Sequence, residues 1–223
     1  MKKFPQREVK IKPLFWPLVT GLISGAVVAW LNPGQQPVRA FLVAFLLAGS
    51  SWWVISAVLT KLQSNRTARL TTALAFSLRL LIGVILFITL PIFGYNEAPP
   101  NNGYLYLDAY ERDTDAWELA ASGRSLATAF GDEFATDQYG GLLSLSAGIY
   151  RLLSPDAHRP LLILILTSFV AALGLPFFWK AVSSRWGEKT ANASAWIYAL
   201  YPESIILGAS QMREPILIGL SAI

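Results

Sequence analysis

Runs of about twenty apolar residues without a charge recur along this chain, and that length is what a helix needs to cross the roughly 30 Å hydrocarbon core of a bilayer. Five such runs are read as spans: Leu14–Leu31, Ala40–Thr60, Leu70–Gly94 (interrupted by Arg79), Pro160–Trp179 and Thr190–Met212. A sixth opens at Pro215 and reaches the last residue, Ile223. Its nine residues cover only about 14 Å at 1.5 Å each, half a bilayer core, which implies a chain that continues past Ile223. Composition agrees with lipid as solvent, since 14% of residues are charged against about a quarter in a soluble domain.

Smaller signals refine the spans. Trp16 and Trp30 flank the first, where amphipathic rings suit the two interfaces. Gly21 and Gly25 form a GxxxG pair, which lets a neighbouring helix approach closely. Asn32-Pro33-Gly34 reads as a tight turn, Pro176 predicts a kink in the fourth span, and SSRWGEK reads as the turn before the fifth. The first run is long and lacks a small-residue cleavage site, so it is read as a retained span and not a leader.

Orientation follows from the basic residues of the short connections. With a cytoplasmic N-terminus, Lys2, Lys3, Arg7, Lys10 and Lys12 lie inside, as do Lys61, Arg66, Arg69, Lys180, Arg185 and Lys189. Arg39 and the long segment 96–157 then lie outside. The organisation is a cytoplasmic tail with an extra two-helix hairpin (1–66), a first core span (67–95), the external loop (96–157) and further spans (158–223). The expected fold class is all-α: a polytopic transmembrane helix bundle in the cell membrane whose external loop carries juxtamembrane amphipathic helices.

That loop holds 10 of the 14 acidic residues. Apolar positions at Trp117, Leu119, Ala120, Leu126 and Phe130 predict an amphipathic helix over Thr114–Phe130. A second is predicted over Gly141–Leu153, too short to span comfortably. Two such helices on the outer surface would roof a cavity.

Several charged residues are candidates for chemistry. Asp108, Glu111, Asp113 and Asp115 cluster just outside a span, where a carboxylate serves as general base toward an acceptor hydroxyl. The pair Asp113 and Asp115, as DxD, is also a hard-oxygen site for a divalent cation. Asp115 with Glu118 equally fits a capping box at a helix start. Arg213 and Glu214 sit before Pro215 at an outer mouth, where an arginine clamps a phosphate, although an acid followed by proline also marks a helix N-terminus. Arg79 lies inside a span, where a charge costs about 2.5–3.5 kcal/mol and is expected to find a partner. Glu203 beside Pro202 raises the same question within the fifth span. His158, the only histidine, reads as an interface anchor before Arg159-Pro160. A basic stripe interleaved with aromatics is missing, which argues against nucleic acid as a partner. The lack of cysteine excludes disulfides and thiolate chemistry. No hydrolase triad, P-loop, zinc motif or GxGxxG fingerprint occurs.

The stretch Asp113-Thr-Asp-Ala-Trp117-Glu-Leu-Ala120 after an emerging span resembles the juxtamembrane helix of GT-C class membrane glycosyltransferases that use polyprenyl-phosphate sugars. These include the protein O-mannosyltransferases and the aminoarabinose transferases. GGLLSLSAGIYRLLSPDAHRPLLILILTS resembles that family's second juxtamembrane helix and next span, and ALYPESIILGASQMREPILIGL its later span pair. The likeness covers about Arg79–Ile223. It implies an inverting sugar transfer from a lipid-phosphate donor to a glycan, lipid or protein acceptor, with the acid at Asp113 as base. The split Asp-Thr-Asp leaves Asp115 open as the base and keeps a metal-using branch in play. Arg213 and Arg159 would hold the donor phosphate. The rival readings are a transporter or flippase, with Arg79 and Glu203 as a midplane path, and a non-catalytic membrane assembly subunit.

Overall fold

The computed structural model describes residues 15–31, 36–131, 134 and 140–223. Leu14, the basic residues of the first dozen positions and the Asn32-Pro33-Gly34 turn lie outside the described residues. Those described are helical, with no strand among them. The long elements are α1 (Phe15–Leu31), α2 (Pro37–Lys61), α3 (Arg66–Phe93) and α6 (Leu161–Leu200). Between α3 and α6 lie α4 (Leu107–Ser122), a 3-10 turn (Leu126–Phe130) and α5 (Gly141–Leu153). After α6 come two short helices, α7 (Pro202–Ala209) and α8 (Glu214–Ser221). Among the described residues, α2, α3 and α6 are long and apolar enough to cross a membrane.

Local chemistry sets the boundaries. Pro37 opens α2 at a position where its missing N–H costs nothing. Asn65 caps α3 by accepting from the Ala68 amide at 2.9 Å. Gly21 and Gly25 let α1 lie against α2 at contact distance, since a Cβ on either would stand 2.8 Å from a backbone carbonyl of Phe45 or Phe41. The GxxxG pair therefore has a structural use.

The 40 residues of α6 are two antiparallel arms. Its dihedrals leave the helical region at Gly187 (φ 83°, ψ 166°), within the SSRWGEK segment and not at Pro176. Ala171 and Tyr198 would be about 40 Å apart on one straight helix. Instead, the Tyr198 hydroxyl donates to the Ala171 carbonyl at 2.9 Å. Trp179 Nε1 donates to Asn192 Oδ1 at 3.0 Å, and the Phe178 and Tyr198 rings lie 5.6 Å apart. One core joins Trp52, Ile55 and Phe76 of α2 and α3 to Leu175, Trp179 and Ala195 of the two arms. Outward, large apolar side chains such as Ile23, Leu46, Leu81 and Ile92 stay exposed, as on a surface that faces hydrocarbon.

Three expectations are corrected. The acidic helix is Leu107–Ser122, ending at Gly123 (φ 71°), and Leu126–Phe130 is a separate 3-10 turn. Asp115 is consequently an interior residue of α4 and not its cap. The buried stripe explains the misreading: Ala109, Arg112, Asp113, Ala116, Leu119 and Ala120 recur at helical spacing, but two are charged. The fifth span is broken, because Tyr201 takes an extended conformation ahead of Pro202.

Candidate functional site

Asp113 is the residue about which α4, α5 and the neighbouring loops converge. Position 113 falls on the inner stripe of α4, and the side chain is 3% exposed. A carboxylate in such a place needs donors, because burying an unpaired charge costs several kcal/mol. Two tyrosines supply them, and a histidine nitrogen lies within hydrogen-bond reach. The Tyr104 hydroxyl, from the extended segment before α4, donates to Oδ2. The Tyr150 hydroxyl on α5 donates to Oδ1 at 2.7 Å and Oδ2 at 2.9 Å. His158 Nε2, from the loop that enters α6, lies 2.8 Å from Oδ2.

Packing fixes these donors in place. The His158 ring stacks on Trp117 of α4 with centroids 5.6 Å apart and planes 15° from parallel. Tyr150 meets both rings edge-on. Arg151 clamps α5 to the end of α4, donating to the Leu119 carbonyl at 2.9 Å and the Arg124 carbonyl at 2.7 Å. Burial, and next the negative charge of Asp113, push both the Tyr104 and the Tyr150 phenols well above their usual range. Both therefore stay protonated and act as donors. The imidazole side chain, 28% exposed, is the most open of the groups bonded to Asp113.

The turn between α7 and α8 is held against this cluster. Arg112 donates to the Gln211 carbonyl at 2.6 Å, and Gln211 sits in the left-handed region at φ 58°. Non-glycine residues there carry strain that the surroundings must hold. A crevice of about 10 Å³, room for one water, lies among Gly83, Phe87, Tyr104, Leu164 and Gln211. A cavity of about 320 Å³ lies elsewhere, among Phe178, Tyr198, Tyr201, Ser204 and Ile218.

The other sequence candidates fall in different settings. Asp108 is exposed in the first turn of α4, and Asp115 is half-buried on the same helix. Arg213 and Glu214 pair at 3.7 Å at the start of α8, on the turn that Arg112 holds. Arg159 is 1% exposed. It donates to Asp156 at 2.6 and 3.1 Å and also to Ser154. Asp156 also meets Arg39 of α2 at 3.2 Å. The hydrogen bond from Arg159 is the first cause that holds the Asp156 carboxyl below its usual range. Arg79 is fully buried, and it donates to the Ala75 carbonyl at 2.8 Å and to Ser204 Oγ at 2.7 Å. Glu203 is not brought to it; that residue is exposed and accepts from the Tyr201 hydroxyl at 3.0 Å. No three of His, Asp and Glu converge as a metal-binding set among the described residues.

Sequence pattern alone does not single out Tyr104, Tyr150 or Arg112, and His158 reads there as an interface anchor. One signal was present: a tyrosine on the inner face of a short amphipathic helix needs a partner for its hydroxyl. Comparison of the chain with family models, curated proteins and solved structures gives no match.

Proposed function

We propose that this chain acts as a membrane glycosyltransferase, moving a sugar from a polyprenyl-phosphate donor to an acceptor hydroxyl at the extracytoplasmic face. The observation that carries this reading is Asp113, a buried carboxylate gripped by Tyr104, Tyr150 and His158. It stands in a small helical layer, α4 and α5, beside helices long enough to cross a bilayer. Such a transfer has two electrostatic needs: a basic centre for the acceptor proton and cationic groups for the departing phosphate. The Asp113 cluster meets the first.

For the second, Arg213 is the better-placed arginine. It lies 36% exposed on the turn that Arg112 ties to α4. The side chain of Arg159 is wholly buried by contrast. Neither need calls for a nucleotide-binding loop, and the sequence has none. The test is sugar transfer in proteoliposomes, with a polyprenyl-phosphate sugar as donor and a lipid or glycan hydroxyl as acceptor. Asp113→Asn should lower the rate by about 10²–10⁴ with membrane insertion intact. An undiminished rate in that variant rules out the part given to Asp113, and no transfer by the unaltered chain rules out the reading.

A further inference from the structure

Asp113 is a poor candidate to meet an acceptor directly. It is 3% exposed, and both oxygens already receive hydrogen bonds. His158 is placed differently. One ring nitrogen, Nε2, faces Oδ2 of Asp113, and 28% of the side-chain surface is open. An ionised carboxylate is an acceptor only, so a neutral imidazole bonded to it carries its proton on Nε2 and leaves a lone pair on Nδ1. Trp117 stacked on the ring and Tyr150 packed nearly perpendicular to it, 5.1 Å away, keep the ring from turning. A base held in one tautomer by a buried carboxylate is the arrangement that general-base catalysis by histidine uses.

We propose that His158 is the group that takes the acceptor proton and that Asp113 is its positioning residue, an assignment that rests on the sugar-transfer reading. The acceptor O–H bond breaks and its proton goes to Nδ1 of His158. The oxygen forms the new bond to the anomeric carbon. The bond from that carbon to the phosphate oxygen breaks, its electron pair leaving on the lipid phosphate. Asp113 stays ionised throughout and faces the imidazolium that forms. Other titratable groups at the pair are Tyr104, whose hydroxyl shares Oδ2, and Tyr150 of α5, while Asp156 and Arg159 are neighbours of His158 along its loop.

Because the chain has a single histidine, nitrogen-15 NMR of the histidine-labelled protein in detergent reports on this ring alone. The expected spectrum is the neutral tautomer protonated at Nε2. Asp113→Asn should abolish that tautomer bias. A neutral ring protonated at Nδ1, or a spectrum indifferent to Asp113→Asn, overturns the assignment without any variant of His158 having to fold. In the transfer assay, His158→Gln should cost about 10²–10⁴ in rate and remove the acidic limb of the pH profile, while a rate within about tenfold of the unaltered chain refutes the role. Failure of the unaltered chain to transfer sugar sinks the transfer reading itself; a wrong tautomer with transfer intact sinks only the role of His158.

Discussion

At Asp113 a single buried carboxyl group rests on the side chains of Tyr104, Tyr150 and His158. A hydrogen bond to a charged group contributes about 1.5–3 kcal/mol. Tyr150→Phe, which removes only the hydroxyl, should therefore destabilise the protein by about that much, read as a lower melting temperature in detergent. The phenols also give the cluster an alkaline limit. Their folded-state values are raised, so the stability they add is present below the usual tyrosine range and is lost as pH climbs through the raised one. Asp156 behaves in the opposite sense. Its folded value is depressed, so the stability it contributes is present above the usual carboxylate range and disappears as pH falls through the lowered value. Melting followed against pH should show Asp156→Asn to be less sensitive to acid than the unaltered chain.

Among the elements, α6 is the one whose shape depends on a single residue. Gly187 combines φ 83° with ψ 166° and has open space where a Cβ would lie. The difficulty there is dihedral and not steric, and that region costs other residues about 1–3 kcal/mol. Gly187→Ala should lower the melting temperature accordingly while leaving the Trp179–Asn192 contact possible. Gly219 on α8 is the contrasting case. A Cβ there would lie 2.2 Å from the Val170 carbonyl oxygen, and one on Gly174 would lie 2.5 Å from the Gly219 carbonyl oxygen. Gly219→Ala should push α8 off α6 and cost about 1–3 kcal/mol or more by overpacking. A melting temperature equal to that of the unaltered chain contradicts the close approach. The acidic helix α4 is less legible in the sequence than α5, whose bounds Gly141–Leu153 follow from its pattern. In α5 the inner face is apolar apart from Ser146 and Tyr150; in α4 it includes Arg112 and Asp113, which hydrophobic periodicity discounts.

Over the whole molecule, the proposed topology assigns opposite sides of the membrane to the loop before α4 and to the turn in α6. The chain has no cysteine, so single introduced thiols report cleanly. An impermeant reagent added outside intact cells should label Ala98→Cys at once and Ser183→Cys only after permeabilisation. Equal labelling of both before permeabilisation contradicts the arrangement. The same orientation puts the Asp113 cluster and the α7–α8 turn on the outer side, which the sugar-transfer reading requires.

The sequence by itself determined the helices α1 to α3, the first arm of α6, the reversal near SSRWGEK and the short helix α5. Each of these follows from local signals: uncharged apolar length, a turn-forming glycine, periodicity over a few turns. Only the tertiary structure decided which carboxylate matters. Asp108, Asp113 and Asp115 are chemically alike in one short stretch, and the face of α4 turned inward sets Asp113 apart. Its partners Tyr104, Tyr150 and His158 come from three separate segments, 9, 37 and 45 residues away along the chain. Such a cluster is a product of packing, since hydrogen bonds to one buried charge can be recruited from anywhere the fold brings a donor, and no spacing rule in the sequence records them.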